Sequence, residues 1–158
     1  MTGLRRADKE IKDPREVEAV LREAEVGRLG TCVDGRPYVV PLSFAYRDGG
    51  ILFHGAAEGK KMRDIARNPR VCFEVDVAEL LPSENPCNFN FRYRSVIANG
   101  TARVIEDEEG RIEDLKLIVE KYAPGMGDRL GVDEVERFKN LTVVEITIDE
   151  MVGKKSPT

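Results

Sequence analysis

Near the N-terminus the apolar residues Val17, Val20, Leu21 and Ala24 recur at intervals of three and four, the spacing of one helix face. Asp13-Pro14-Arg15-Glu16 precedes them and has the form of a helix start, with Asp at the N-cap, Pro at N1 and Glu at N3 in a capping-box position. Gly27 is expected to end this helix. Beyond it the period becomes two. RLGTCV, YVVPLSFAY and ILFHG read as strands, separated by Asp34-Gly35 and by Asp48-Gly49-Gly50, residues that accept positive φ cheaply. This predicts a three-strand meander. Pro41 falls in the middle of the second strand, where it cannot donate to a ladder. An edge position or a bulge is expected there, with free backbone groups nearby.

Further along, KKMRDIARN predicts a short helix stopped at Asn68-Pro69. RVCFEVDV alternates as a strand, LLPSENPCNFNF reads as an irregular loop, and YRSVIANGTARVI as a long strand with a bulge at Gly100. RIEDLKLIVEKYA places Ile112, Leu115, Ile118, Val119 and Tyr122 on one helix face. VDEVERFKN is a weaker short helix, LTVVEITID the last strand, and GKKSPT a frayed tail. About six strands, joined mainly by tight turns, predict a mainly β (α+β) fold. The expected form is a six-stranded antiparallel barrel with flanking helices rather than a doubly wound sheet. At 158 residues the chain is expected to be one domain, spanning 1–158 with a core of about 14–150.

Charge narrows the partners. A net charge of -4 argues against a general nucleic-acid binder, which needs a basic surplus to neutralise phosphates. No apolar run is long enough to cross a bilayer, and the charged start MTGLRRADKEIKD lacks a signal-peptide pattern, so no membrane partner is expected. Cys32, Cys72 and Cys87 are scattered and form no C-x-x-C pair, as suits free thiols in a reducing compartment. A cytoplasmic protein is expected.

The stretch HGAAEGKK, His54 to Lys61, carries the most chemistry. Gly55-Ala56-Ala57-Glu58-Gly59-Lys60-Lys61 is one residue short of a Walker A loop and offers Lys61 where a hydroxyl should hold magnesium. Its physical content survives that mismatch: Gly59 permits a tight turn, the next helix directs free N–H groups outward, and two lysines add positive charge. Spacing alone leaves an anion site and a plain surface turn equally open. His54, the single histidine, is poor evidence for a metal site because no cysteine or carboxylate spacing accompanies it. Taken alone it reads as a hydrogen-bonded histidine at a strand end. Cys87 has no evident partner, and no catalytic nucleophile is assigned.

Taken together, GRLGTCVDGRPYVVPLSFAYRDGGILFHGAAEGKK, RVCFEV and CNFNFRYRSVIANGTARV resemble the FMN-binding split-barrel family. They are similar in particular to its nitroimidazole-resistance-type branch, related to pyridoxamine 5'-phosphate oxidase. The resemblance runs from about Leu4 to Lys154. It implies a homodimer of six-stranded split barrels with FMN in the groove between subunits. Residue by residue, it implies that Val40, Pro41, Leu42 and Ser43 lie along the isoalloxazine ring and that His54, Gly55 and Ala56 meet the ring-to-ribityl segment. Lys60 and Lys61 would clamp the phosphate, and Tyr93 and Ser95 would close the site, from the second subunit in one arrangement. His54 is the candidate for tuning the flavin. The implied activity is electron transfer from a reduced nicotinamide to a small acceptor, with nitroaromatics among the candidates. A deazaflavin-dependent reductase and a non-enzymatic flavin or haem carrier or sensor are the alternatives. The chain ends in MVGKKSPT rather than in the arginine-rich segment with which pyridoxamine-phosphate oxidases grip substrate, so that particular activity is not expected.

Overall fold

The computed structural model describes residues 5–137 and 140–157. In chain order the elements are β1 (Glu10–Ile11), α1 (Pro14–Glu23), β2 (Gly27–Val33), β3 (Arg36–Leu42), β4 (Ala45–Arg47), β5 (Gly50–Ala56) and α2 (Lys60–Arg67). They continue with β6 (Arg70–Leu81), β7 (Asn90–Val104), α3 (Glu108–Tyr122), α4 (Val132–Glu136) and β8 (Leu141–Lys155). All the strands join one antiparallel sheet in the order β3-β2-β6-β7-β8-β5-β4, with β1 added against β8. The two edge strands, β3 and β4, are consecutive in the chain and separated only by Ser43 and Phe44. The sheet therefore curls until its edges meet at that corner, which is the split-barrel class expected.

Eight strands replace the expected six. One addition is the two-residue β1; the other comes from the second strand of the expected meander, which breaks at Ser43–Phe44. β3 pairs only with β2, whereas β4 pairs with β5 at the far edge. Side-chain alternation continues through the break; what changes is the pairing partner, because the chain passes from one edge of the sheet to the other. Phe44 enters the barrel core, while the adjacent Ala45 is buried with Leu52 and Ile118 under α3. The hairpin turns themselves follow the expectation: Asp34 and Gly35 have φ of 52° and 73°, and Asp48 and Gly49 have 30° and 83°. Pro41 lies on an edge strand, as its missing N–H requires.

Four more expectations change. α1 ends at Glu23, and Gly27 opens β2 instead of capping the helix. A Cβ on Gly27 would sit 2.1 Å from the Phe73 ring, so close packing explains this glycine. Asp13 caps α1 through Arg15 N, whereas Glu16 turns to Lys155 Nζ (2.9 and 3.0 Å). Gly153–Lys155 form no frayed tail: they complete β8 against β7 and β1. Leu80, Leu81, Asn90 and Phe91, assigned to the irregular loop, extend the β6–β7 ladder and shorten the loop to residues 82–89. The expected bulge at Gly100 is present. The register shifts between Asn99 and Gly100, leaving Asp149 as the extra residue of β8. α4 covers the first part of the expected VDEVERFKN helix, whose Phe138 and Lys139 lie outside the described residues.

The barrel interior is filled by Leu29, Phe53, Phe73, Val75, Val96, Val144 and Ile146, and α1 plugs one end with Val20 and Leu21. Each such fully buried side chain stabilises the fold by about 1.5–3 kcal/mol. Phe44 and Phe73 meet edge to face at 5.1 Å. A second cluster, Ile105, Leu115, Val135 and Val143, seats α3 and α4 on the outer face of β8. No helix among the described residues is long and apolar enough to cross a membrane. The three cysteines are free.

Candidate functional site

β5 carries three fully buried residues in succession, Ile51, Leu52 and Phe53. It can do so because the barrel core covers one face and α3 the other. Past Phe53 that cover ends and the strand emerges at His54, which is exposed. His54, Gly55 and Ala56 remain in the ladder with Val143, Thr142 and Leu141 of β8, so their backbone is rigidly held. Ala57 N then donates to Asn140 O at 2.9 Å, and the chain turns at Gly59 (φ 137°) into α2. Only glycine adopts that φ without strain.

The first turn of α2 has no side-chain cap and no acidic residue. Its leading N–H groups therefore face outward with the positive end of the helix dipole. Lys61 folds back over Gly55: a Cβ there would stand 3.0 Å from both Lys61 Cε and Nζ. Among the described residues, Lys61 has no carboxylate partner. Partial desolvation by the surrounding chain first, and then the Lys61 charge, lower the pKa of the exposed His54 from its ordinary 6.5, which favours the neutral imidazole.

Lys60 points elsewhere. Its Nζ reaches Asp64 Oδ2 and Oδ1 at 2.8 and 3.0 Å and stands 4.7 Å from the centroid of the Tyr38 ring on β3. Asp64 is buried and accepts a second bond from Thr31 Oγ1 of β2 at 2.8 Å. The Lys60 hydrogen bond, followed by that of Thr31, lowers the Asp64 pKa. The structure thus divides the paired lysines: one stands free beside His54, and the other pins α2 to β2 and β3. The Thr31–Asp64–Lys60–Tyr38 network was not anticipated, although the Lys60–Asp64 spacing of four on a helix is a legible signal.

Val40, Pro41 and Leu42 run along the edge strand β3 and Ser43 follows it, with Pro41 and Ser43 exposed and Val40 and Leu42 half-buried. Ser43 and His54 each stand two residues beyond the Ala45–Leu52 pair, at the same end of the β4–β5 ladder. The corner of the edge strand and the end of β5 therefore lie at the same end of the sheet, where Lys61 of α2 also reaches Gly55. Tyr93 and Ser95 do not reach it. Tyr93 pairs with Ala78, and Ser95 with Asp76 and Lys154. β7 comes level with His54 only near Val104, the partner of Val144. Eleven residues separate Val104 from Tyr93, about 35 Å along a strand. A separate groove of about 710 Å³ runs over the outer face of the sheet past Gly30, Tyr38, Val39, Cys72 and Asn99.

Residues 13–155 match the family described as pyridoxamine 5'-phosphate oxidase. A 90-residue stretch is 36% identical to a 5a,11a-dehydrotetracycline/5a,11a-dehydrooxytetracycline reductase of Streptomyces rimosus, spanning 54% of this chain and 58% of that relative. A candidate 5-nitroimidazole antibiotic resistance protein from Bacteroides thetaiotaomicron is 27% identical with a TM-score of 0.78, over 92% of this chain and 85% of its own. The flavocytochrome Anf3 from Azotobacter vinelandii is 25% identical with a TM-score of 0.83, over 99% of this chain and 73% of its own.

Proposed function

Because the chain belongs to the pyridoxamine 5'-phosphate oxidase family, we propose that it is a flavin-dependent oxidoreductase whose cofactor is FMN. The observation that carries this reading is the uncapped start of α2 with the Lys61 ammonium folded over Gly55. That donor set suits a phosphate dianion: backbone N–H groups at the positive end of a helix, and one cation that has no carboxylate on it among the described residues. The approach is clear, since nothing lies within 4 Å of the place a Gly59 side chain would take. In this reading the ring lies along Val40, Pro41, Leu42 and Ser43. His54, Gly55 and Ala56 meet the segment between ring and ribityl chain, and Lys61 holds the phosphate. Lys60 supports the phosphate end from behind by holding α2 in place.

When bound, the flavin supplies the electron chemistry. The chain's part is to orient the ring, exclude competing positions and set the local charge. A neutral His54 offers one N–H donor at the pyrimidine side of the ring. The proposed reaction passes electrons from a reduced nicotinamide to a small acceptor. The reductase and resistance relatives favour conjugated ring systems and nitroaromatics as the first acceptors to try. Tyr93 and Ser95 reach such a site only from a second copy, so the working unit in this proposal is a cytoplasmic homodimer.

The absorption spectrum of the purified protein, followed by turnover with reduced nicotinamide and a panel of acceptors, tests the proposal. A flavin spectrum with acceptor-dependent turnover supports it; a protein that neither carries nor takes up FMN overturns it. Sedimentation tests the assembly, and a stable flavin-loaded monomer would remove the homodimer. The likeness to a flavocytochrome favours one other reading, a haem carrier with His54 as axial ligand, which a Soret band would reveal.

A further inference from the structure

The corner where β3 becomes β4 is held from outside the sheet. Tyr122, the last residue of α3, presents its Oη to Phe44. It accepts from Phe44 N at 3.0 Å and lies 3.2 Å from Phe44 O and 2.6 Å from Glu25 O. A phenol has one proton to give, and the shorter contact marks Glu25 O as its main acceptor. The preceding residue, Lys121, places Nζ 3.5 Å from the centroid of the Phe44 ring and donates to Ala24 O at 2.6 Å. Two consecutive side chains at the end of α3 thus grip the ring and backbone of Phe44 and tie both to the segment that follows α1.

Ordinary strand pairing does not supply this restraint. Ser43 and Phe44 belong to neither ladder, and β3 has a partner on one side only. Phe44 is fully buried, so its backbone polar groups need partners, and the Tyr122 hydroxyl meets the N–H. Without it the edge strand would be anchored by β2 alone just where it must present Leu42 and Ser43 at a fixed height beside His54. Tyr122 itself keeps 41% of its surface exposed, so its hydroxyl contributes more to where the corner sits than to the packing of the core.

We infer that Tyr122 is a positioning residue for the flavin ring, acting through Phe44 on the Leu42–Ser43 backbone, with Lys121 as its support. The inference rests on the ring placement proposed above, and the two can fail separately. The test uses the full-length FMN-loaded protein and Tyr122→Phe, which keeps the aromatic ring and removes the hydroxyl. Titrations with FMN and with riboflavin are run for oxidised and reduced flavin, alongside a melting curve. The expected result is a loss of about three- to tenfold in affinity, equal for FMN and riboflavin because the phosphate end is untouched, the scale of one neutral hydrogen bond. The ratio of reduced to oxidised affinity should also change, since the ring sits differently. Gly100→Ala, which strains the sheet away from the corner, is the control and should lower the melting temperature without moving that ratio. Should Tyr122→Phe fail to fold, Lys121→Met reads the same corner through the Phe44 ring and should shift the ratio in the same direction. A lower melting temperature with unchanged flavin affinities and ratio would overturn the inference and leave Tyr122 a fold anchor. A loss confined to FMN would also overturn it, by placing the lesion at the phosphate end. Failure of the native protein to bind any flavin would remove the site reading itself before a variant is made.

Discussion

If Lys61 alone meets the phosphate, the two neighbouring lysines should respond to mutation in opposite ways. Methionine at either position keeps most of the apolar stem and removes the charge. Lys61 stands over Gly55 with no carboxylate on it among the described residues, so its charge is available to a dianion. A well-formed charge-assisted hydrogen bond contributes about 1.5–3 kcal/mol, reduced at an exposed rim by solvent and salt. Lys61→Met should therefore weaken FMN by about ten- to a hundredfold. Riboflavin, with the same ring and no phosphate, should change by less than about twofold. Lys60 is already committed to Asp64 at 2.8 Å and to the Tyr38 ring. Lys60→Met should accordingly keep the preference for FMN and lower the melting temperature, because it leaves a buried carboxylate with Thr31 alone. Fluorescence titration of both ligands at two salt concentrations, with melting curves for each variant, separates the cases. If Lys60→Met abolishes the FMN preference while Lys61→Met leaves it intact, the geometric reasoning is wrong. If the native protein binds FMN and riboflavin equally, the phosphate reading fails outright.

The single histidine gives one Cε1–H signal, and its NMR titration should show a pKa below 6.5 that rises toward 6.5 in Lys61→Met. With a folded pKa below the unfolded one, the unfolded chain binds more protons below pH 6.5. The His54 contribution to stability is therefore present above that pH and lost as pH falls through the folded pKa, so denaturation midpoints should drop faster below pH 6.5 in native protein than in His54→Gln. Gly100→Ala should destabilise by about 1–3 kcal/mol, since its Cβ would sit 2.2 Å from the Thr147 carbonyl oxygen; a melting temperature unchanged within error would refute this. Truncation after Val152 should cost far more stability in urea than truncation after Ser156, because Gly153–Lys155 pair with β7 and β1 and Gly153 packs on Ile11 and Val17.

Local chemistry was legible in the sequence wherever neighbouring residues decide the outcome. The Asp13-Pro14 start of α1, the two Asp-Gly turns, the edge position of Pro41 and the register shift at Gly100 all follow from backbone preferences confined to a few residues. So did the emergence of His54 from an apolar strand into a glycine turn and a lysine-bearing helix. The end of β8 was not legible, because GKK has no strand signal of its own and is ordered only by partners more than fifty residues away. Nor was the break at Ser43–Phe44, since strict alternation runs smoothly through PLSFAY. Closing the barrel is what carries the chain there from a β2 partner to a β5 partner. The same holds for the lysines. In sequence Lys60 and Lys61 are equivalent, and any distinction between them depends on what the fold brings near. Helical geometry turns adjacent side chains about 100° apart. One therefore meets Asp64 and the Tyr38 ring, while the other is left over Gly55 beside His54, with its charge uncommitted.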